Sequence, residues 1–162
     1  MANKSEYLKR LSLKNPWHFI ALGFGSGLAP VAPGTFGSLA ALPFCYALIH
    51  LPLSYQIIVI LLSFILGTIA CQKAENAMGL HDHGGIVIDE FVGMFISVLA
   101  FPTLWYSVFL GFILFRIFDI TKPLFIGYAD RKLKGGLGIM VDDVLAGLCA
   151  LAVGQIIWSA LL

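Results

Sequence analysis

The sequence predicts an all-α protein: a polytopic membrane bundle of four to five short transmembrane helices, preceded by an N-terminal interfacial or re-entrant segment. Three observations predict it. Hydrophobic residues make up 59% of the 162 residues and charged residues only 12%, more apolar surface than a soluble domain of this size can bury in one core. The charges are clustered, with no Asp, Glu, Lys or Arg between Lys14 and Lys73, between Glu90 and Arg116, or after Asp143. Two short uncharged connections, Leu51-Pro52-Leu53-Ser54 and Phe101-Pro102-Thr103, have the proline content of tight turns between antiparallel helices.

Taken in order, Trp17 to Leu28 is apolar but shorter than the roughly 20 residues of a span, which suggests a segment lying at the interface or re-entering it. The Gly- and Pro-rich stretch Gly23 to Ser38 is expected to be a loop before the first span. Apolar runs then predict helices over Phe36 to Leu51, Tyr55 to about Met78, Ile86 to Ala100, Leu104 to Ile126, and Ile139 to Leu162. No apolar run with a small-residue cleavage site follows Lys4, Lys9, Arg10 and Lys14, so the chain is expected to be used whole, as one domain over 1–162.

If the two proline turns share one face, the N-terminus, the Lys73 to Glu90 loop and the Lys122 to Asp143 loop share the other. The lysines and arginines of that face make it cytoplasmic by the positive-inside rule. The formal net charge of +1 is uninformative beside this placement, and no nucleic-acid partner is expected. Association into oligomers is left open by the short helices.

Asp89-Glu90 follows Ile86-Val87-Ile88 and Asp142-Asp143 follows Ile139-Met140-Val141, so both acidic pairs fall within apolar segments. A charge there costs several kcal/mol unless it is paired, which marks intramembrane acids as functional candidates. Brought together, the pairs offer the hard oxygen donors that Mg²⁺ prefers. The alternative is that acids at helix starts only complement the macrodipole. The two pairs also echo each other: Gly84-Gly85 and Gly135-Gly136 precede them, and Gly93 and Gly147 follow.

Arg116, Asp119 and Lys122 share one helix face by their i, i+3, i+6 spacing, either as a salt-bridge ladder or as an acid flanked by two phosphate-binding cations. Thr35 and Ser38, in Ala32-Pro33-Gly34-Thr35-Phe36-Gly37-Ser38, could cradle an anion at a helix N-terminus or simply cap it. His81-Asp82-His83 has metal-ligand residue types but no third ligand at suitable spacing. Glu75 and Asn76 could reach the same face. Cys45, Cys71 and Cys149 read as buried apolar residues.

The motifs GLAPVAPGTFGSLAALP (Gly27 to Pro43), IVIDEFVGM (Ile86 to Met94), FRIFDITKP (Phe115 to Pro123) and GGLGIMVDDVLAG (Gly135 to Gly147) together resemble the bacterial phosphatidylglycerophosphatase A family. The resemblance covers nearly the whole chain. It implies a Mg²⁺-dependent, multi-pass inner-membrane enzyme, facing the cytoplasm, that hydrolyses phosphatidylglycerophosphate to phosphatidylglycerol and inorganic phosphate. It implies Asp89, Glu90, Asp119, Asp142 and Asp143 as metal or acid/base groups, with Asp89, Glu90, Asp142 and Asp143 at the metal. Arg116, Lys122 and Thr35 are implied as substrate contacts.

A small divalent-cation transporter or channel is the rival from another class, because membrane acids also mark ion pathways. The far halves of the helices argue against it, since they carry little beyond His50, Ser97, Ser107 and Ser159. The D-G-x2-A-R-x8-G-x3-D-x3-D pattern of CDP-alcohol phosphotransferases is absent.

Overall fold

The computed structural model describes residues 6, 8–80, 83–123, 126 and 134–161, among which no strand occurs. In chain order these form α1 (Pro16–Ala21), a 3-10 segment (Gly23–Leu28), α2 (Pro33–Leu48), α3 (Leu53–Met78), α4 (Ile88–Ser97), α5 (Trp105–Thr121) and α6 (Gly135–Leu161). The all-helical expectation holds for them. Two helices, α3 with 26 residues and α6 with 27, are long and apolar enough to cross a membrane. The others have 16, 10 and 17 residues in α2, α4 and α5, short of the roughly 20 that a span needs.

The short helix α4 is the centre of the bundle. From Glu90 to Ser97 every residue is buried, as befits a helix apolar all round except at its start, and α2, α3, α5 and α6 all pack against it. Its contact with α6 is the tightest. A Cβ on Gly147 would lie 2.6 Å from the Gly93 carbonyl oxygen, and one on Gly93 would lie 2.9 Å from the Asp143 carbonyl oxygen and also strike the Phe115 ring. The echoed glycines thus mark where two backbones cross without side chains between them. Gly147→Ala is expected to cost about 1–3 kcal/mol through overpacking, read as a lower melting temperature in detergent, whereas Leu148→Ala, on the exposed face, should change little.

The two proline turns lie at one end of the bundle, tied by Gln56: its Nε2 donates to the Leu51 carbonyl at 2.8 Å and its Oε1 accepts the Ala100 N–H at 3.0 Å. Gln155 Nε2 donates to the Leu99 carbonyl at 2.9 Å beside them. At the other end, Lys73 lies 4.8 Å from the centre of the Trp17 ring, holding α1 against α3.

Several boundaries differ from expectation, among them α4, which runs over Ile88–Ser97 rather than Ile86 to Ala100. The stretch read as a loop to Ser38 is already helical from Pro33, because a proline at N1 comes with the right φ and has no N–H to satisfy. Helix α6 begins at Gly135 rather than Ile139. Helix α5 ends at Thr121, with Lys122 left-handed at φ 38° and Pro123 after it, so the expected continuation to Ile126 is broken. The segment after Leu22 turns through Phe24 and Gly25 at φ 58° and 98°, which ends α1 and sends the chain back towards α2.

Candidate active site

Three helix ends, the third turn of α6 and the Gly84 loop enclose a cleft of about 240 Å³. Its wall includes Asp89, Glu90, Asp119, Asp142, Asp143 and Lys122: all five carboxylates singled out in the sequence and one of the two cations. The glycine crossing is what brings the acids together, since it presses the start of α4 against the third turn of α6.

Glu90 and Arg116 form the firmest contact. Arg116 Nη1 donates to both carboxylate oxygens of Glu90, at 2.9 and 2.7 Å, and meets Asp119 Oδ2 at 2.6 Å one turn along α5. Ser38 Oγ donates to Glu90 Oε2 at 2.5 Å. Arg116 Nη2 donates to Thr35 Oγ1 at 3.3 Å. Thr35 and Ser38 therefore lie in the first turns of α2 and face the cluster; neither caps the helix, whose N-cap is Ala32, left-handed at φ 46° and without a side-chain bond. Lys122 Nζ bonds Asp142 Oδ2 at 2.7 Å, bridging α5 to α6.

Asp89-Glu90 occupies the first turn of α4, where the macrodipole favours acids. Asp142-Asp143 does not have that excuse, because it lies two turns inside α6. Asp143 is 3% exposed, Oδ2 has no hydrogen-bond partner, and it lies in the field of four carboxylates, Glu90, Asp89, Asp119 and Asp142, against the guanidinium of Arg116. A buried carboxylate oxygen facing other carboxylates is a costly arrangement that folding alone does not require. Among the described residues, no three His, Cys, Asp or Glu side chains form a ready-made metal cage.

Two residues escaped the sequence reading. Gly34 lies against Glu90: a Cβ there would overlap Oε1, so the glycine lets the carboxylate reach Arg116. Gln72 Oε1 accepts the Gly136 N–H at 2.9 Å, satisfying a donor at the start of α6. An amide near the charged end of an apolar span was the available signal. Gln72 Nε2 also donates to Asn76 at 3.0 Å; neither Asn76 nor Glu75 lines the cleft. His81 and Asp82 lie outside the described residues, as do Arg131 and Lys132 of the basic loop. His83 is buried and accepts the Gly85 N–H on Nδ1 at 3.0 Å.

A helical bundle that gathers five carboxylates, an arginine and a lysine at one end has the residues of a phosphoryl-transfer enzyme. The phosphatidylglycerophosphatase A family model matches residues 19–158. Over 140 residues the chain is 50% identical to phosphatidylglycerophosphatase A of Escherichia coli strain K12, covering 86% of this chain and 81% of that protein. Over 149 residues it is 52% identical to the protein of that name from Haemophilus influenzae, covering 90% and 91%. A Bacteroides thetaiotaomicron protein provisionally named phosphatidylinositol-3-phosphatase is 44% identical over 139 residues, covering 80% and 85%. No solved structure gives a significant match. The chain belongs to the phosphatidylglycerophosphatase A family and is a phosphatase of phospholipid metabolism. The cation-transporter reading finds no support in these relatives.

Proposed function

We propose that phosphatidylglycerophosphate presents its terminal phosphate to this cleft, where hydrolysis yields phosphatidylglycerol and inorganic phosphate, in a multi-pass protein of the bacterial inner membrane whose cleft faces the cytoplasm. The observation that carries the reading is the single cleft shared by the five carboxylates and Lys122, with Arg116 bound to two of them. Membrane placement is supported by the apolar exterior: Ile57, Ile58, Leu61, Leu62, Ile65 and Leu66 of α3 are exposed, an apolar surface that soluble monomers rarely carry. The basic residues at the cleft end support the cytoplasmic side.

Five carboxylates against two cations leave the cleft with excess negative charge, and a dianionic phosphate would not enter it unaided. A divalent cation resolves this. Mg²⁺ fits the donors present, because it takes one or two carboxylates, keeps several waters and needs no complete protein cage. Asp89, Asp142 and Asp143 would hold it; Glu90 is already engaged by Arg116 and Ser38, and so positions the guanidinium instead. When bound, the ion supplies charge neutralisation at a phosphate oxygen and a more acidic water.

The remaining work falls to the chain itself. Arg116 and Lys122 bind equatorial phosphoryl oxygens as negative charge shifts in the transition state. Thr35 orients the Arg116 fork by accepting from Nη2. Asp143 Oδ2 accepts the proton of the attacking water, a general-base role for the buried oxygen that lacks a partner. Asp119 holds Arg116 from the opposite side to Glu90.

Phosphate release from phosphatidylglycerophosphate by the purified protein tests the reading directly. Chelation with EDTA should abolish release and added Mg²⁺ should restore it. Full activity in EDTA would remove the metal from the mechanism; no release under any condition would remove the reaction.

A further inference from the structure

We infer that the cavity adjoining the carboxylate cleft is the subsite for the glycerol phosphodiester that joins the terminal phosphate of the lipid to its diacylglycerol. The inference rests on the reading of the cleft proposed above. The cavity measures about 490 Å³ and lies between the Gly27 to Pro33 bend and the His83 to Gly85 loop. Pro33 and Gly84 belong to the walls of both spaces, so the two meet at that pair.

The chemistry changes across the junction. On one side stand five carboxylates, suited to a cation and a phosphomonoester; on the other, no Asp or Glu among the described residues lines the cavity, whose described wall is mostly Gly, Ala and Pro. A second anionic phosphate meets less repulsion there than beside the five carboxylates. Among the described residues the polar side chain there is His83, whose Nδ1 accepts the Gly85 N–H.

The outer flank of the cavity is apolar. Leu28 and Val31 in the bend are 43% and 72% exposed, which suits a rim where acyl chains remain in lipid. A substrate with two phosphates separated by a glycerol needs two adjoining recesses of different charge. Inorganic phosphate needs only the first.

Gly84 gives the test. It does not occupy a left-handed conformation, and a Cβ added there meets only Pro33, at 4.0 Å, so Gly84→Leu extends into the junction without striking the backbone. Ala29→Leu fills the cavity at a point away from the carboxylates. Hydrolysis of phosphatidylglycerophosphate in mixed micelles is measured with two soluble inhibitors, glycerophosphoglycerol and inorganic phosphate.

In the wild type both should compete with the lipid. In each variant, inhibition by glycerophosphoglycerol should weaken about tenfold or more, and in Ala29→Leu, at a position that lines only the second cavity, inhibition by phosphate should move far less. Equal inhibition of wild type and both variants by glycerophosphoglycerol overturns the subsite, as does its failure to inhibit the wild type where phosphate succeeds. If circular dichroism finds Gly84→Leu unfolded, Ala29→Leu decides alone. A wild type that releases no phosphate from the lipid overturns the reaction instead.

Discussion

Asp143→Asn is expected to leave the protein folded and at least as stable as wild type while lowering phosphate release by about 10²–10⁴-fold, the range typical of losing a general base. Both halves follow from the same geometry. The Asp143 carboxylate is 3% exposed, is repelled by Asp89, Glu90, Asp119 and Asp142 and attracted by Arg116, and has an oxygen without a hydrogen-bond partner. Asparagine keeps the shape and removes a charge that its neighbours oppose. A residue kept for packing would give the opposite pattern, with stability lost first. Melting temperature in detergent and phosphate release, measured on one preparation, separate the two. Full activity in the variant would show that Asp143 does not act on the proton or the metal.

Arg116→Met should behave differently, losing activity and about 3–5 kcal/mol of stability together. Arg116 bonds both oxygens of Glu90 and also Asp119, so its removal strands two acids beside Asp143, and breaking a buried pair from one side costs that much. Adding Glu90→Gln should recover a large part of the stability, because the stranded charge goes with it, but none of the activity, because the phosphate still lacks its guanidinium. A double-mutant cycle read by denaturation and by turnover tests this. Recovered turnover in the double variant would demote Arg116 from a substrate contact to a partner of Glu90.

These contrasts indicate which parts of the site could be read from the chain. The two acidic pairs were legible because depth in an apolar run is a one-dimensional property, and Asp119 because its spacing from Arg116 and Lys122 puts the three on one helix face. The partnership of Arg116 with Glu90 was not. It joins residues 26 apart on separate helices, and the i, i+3 spacing within α5 pointed only to Asp119.

Helix starts divided in the same way. Pro33 at N1 carried a local signal for the start of α2. Gly135, Gly136 and Gly138 read as a loop, since each glycine disfavours helix by about 1 kcal/mol, yet they open α6. Packing overrides propensity there: a Cβ on Gly136 would overlap the Thr68 carbonyl, and the Gly136 N–H is held by Gln72. The length of α4 was also hidden, because the turn after Ser97 is as apolar as the helix before it.

The crossing at Gly93 and Gly147 separates two kinds of change over evolutionary time. Because the acidic pairs are aligned by backbone against backbone, their spacing does not depend on the shapes of the aliphatic residues around the outside of the bundle. Those outer residues can drift with the lipid composition and growth temperature of the host while the chemistry stays in register. The two glycines, far less conspicuous than any charged group, have little freedom to follow.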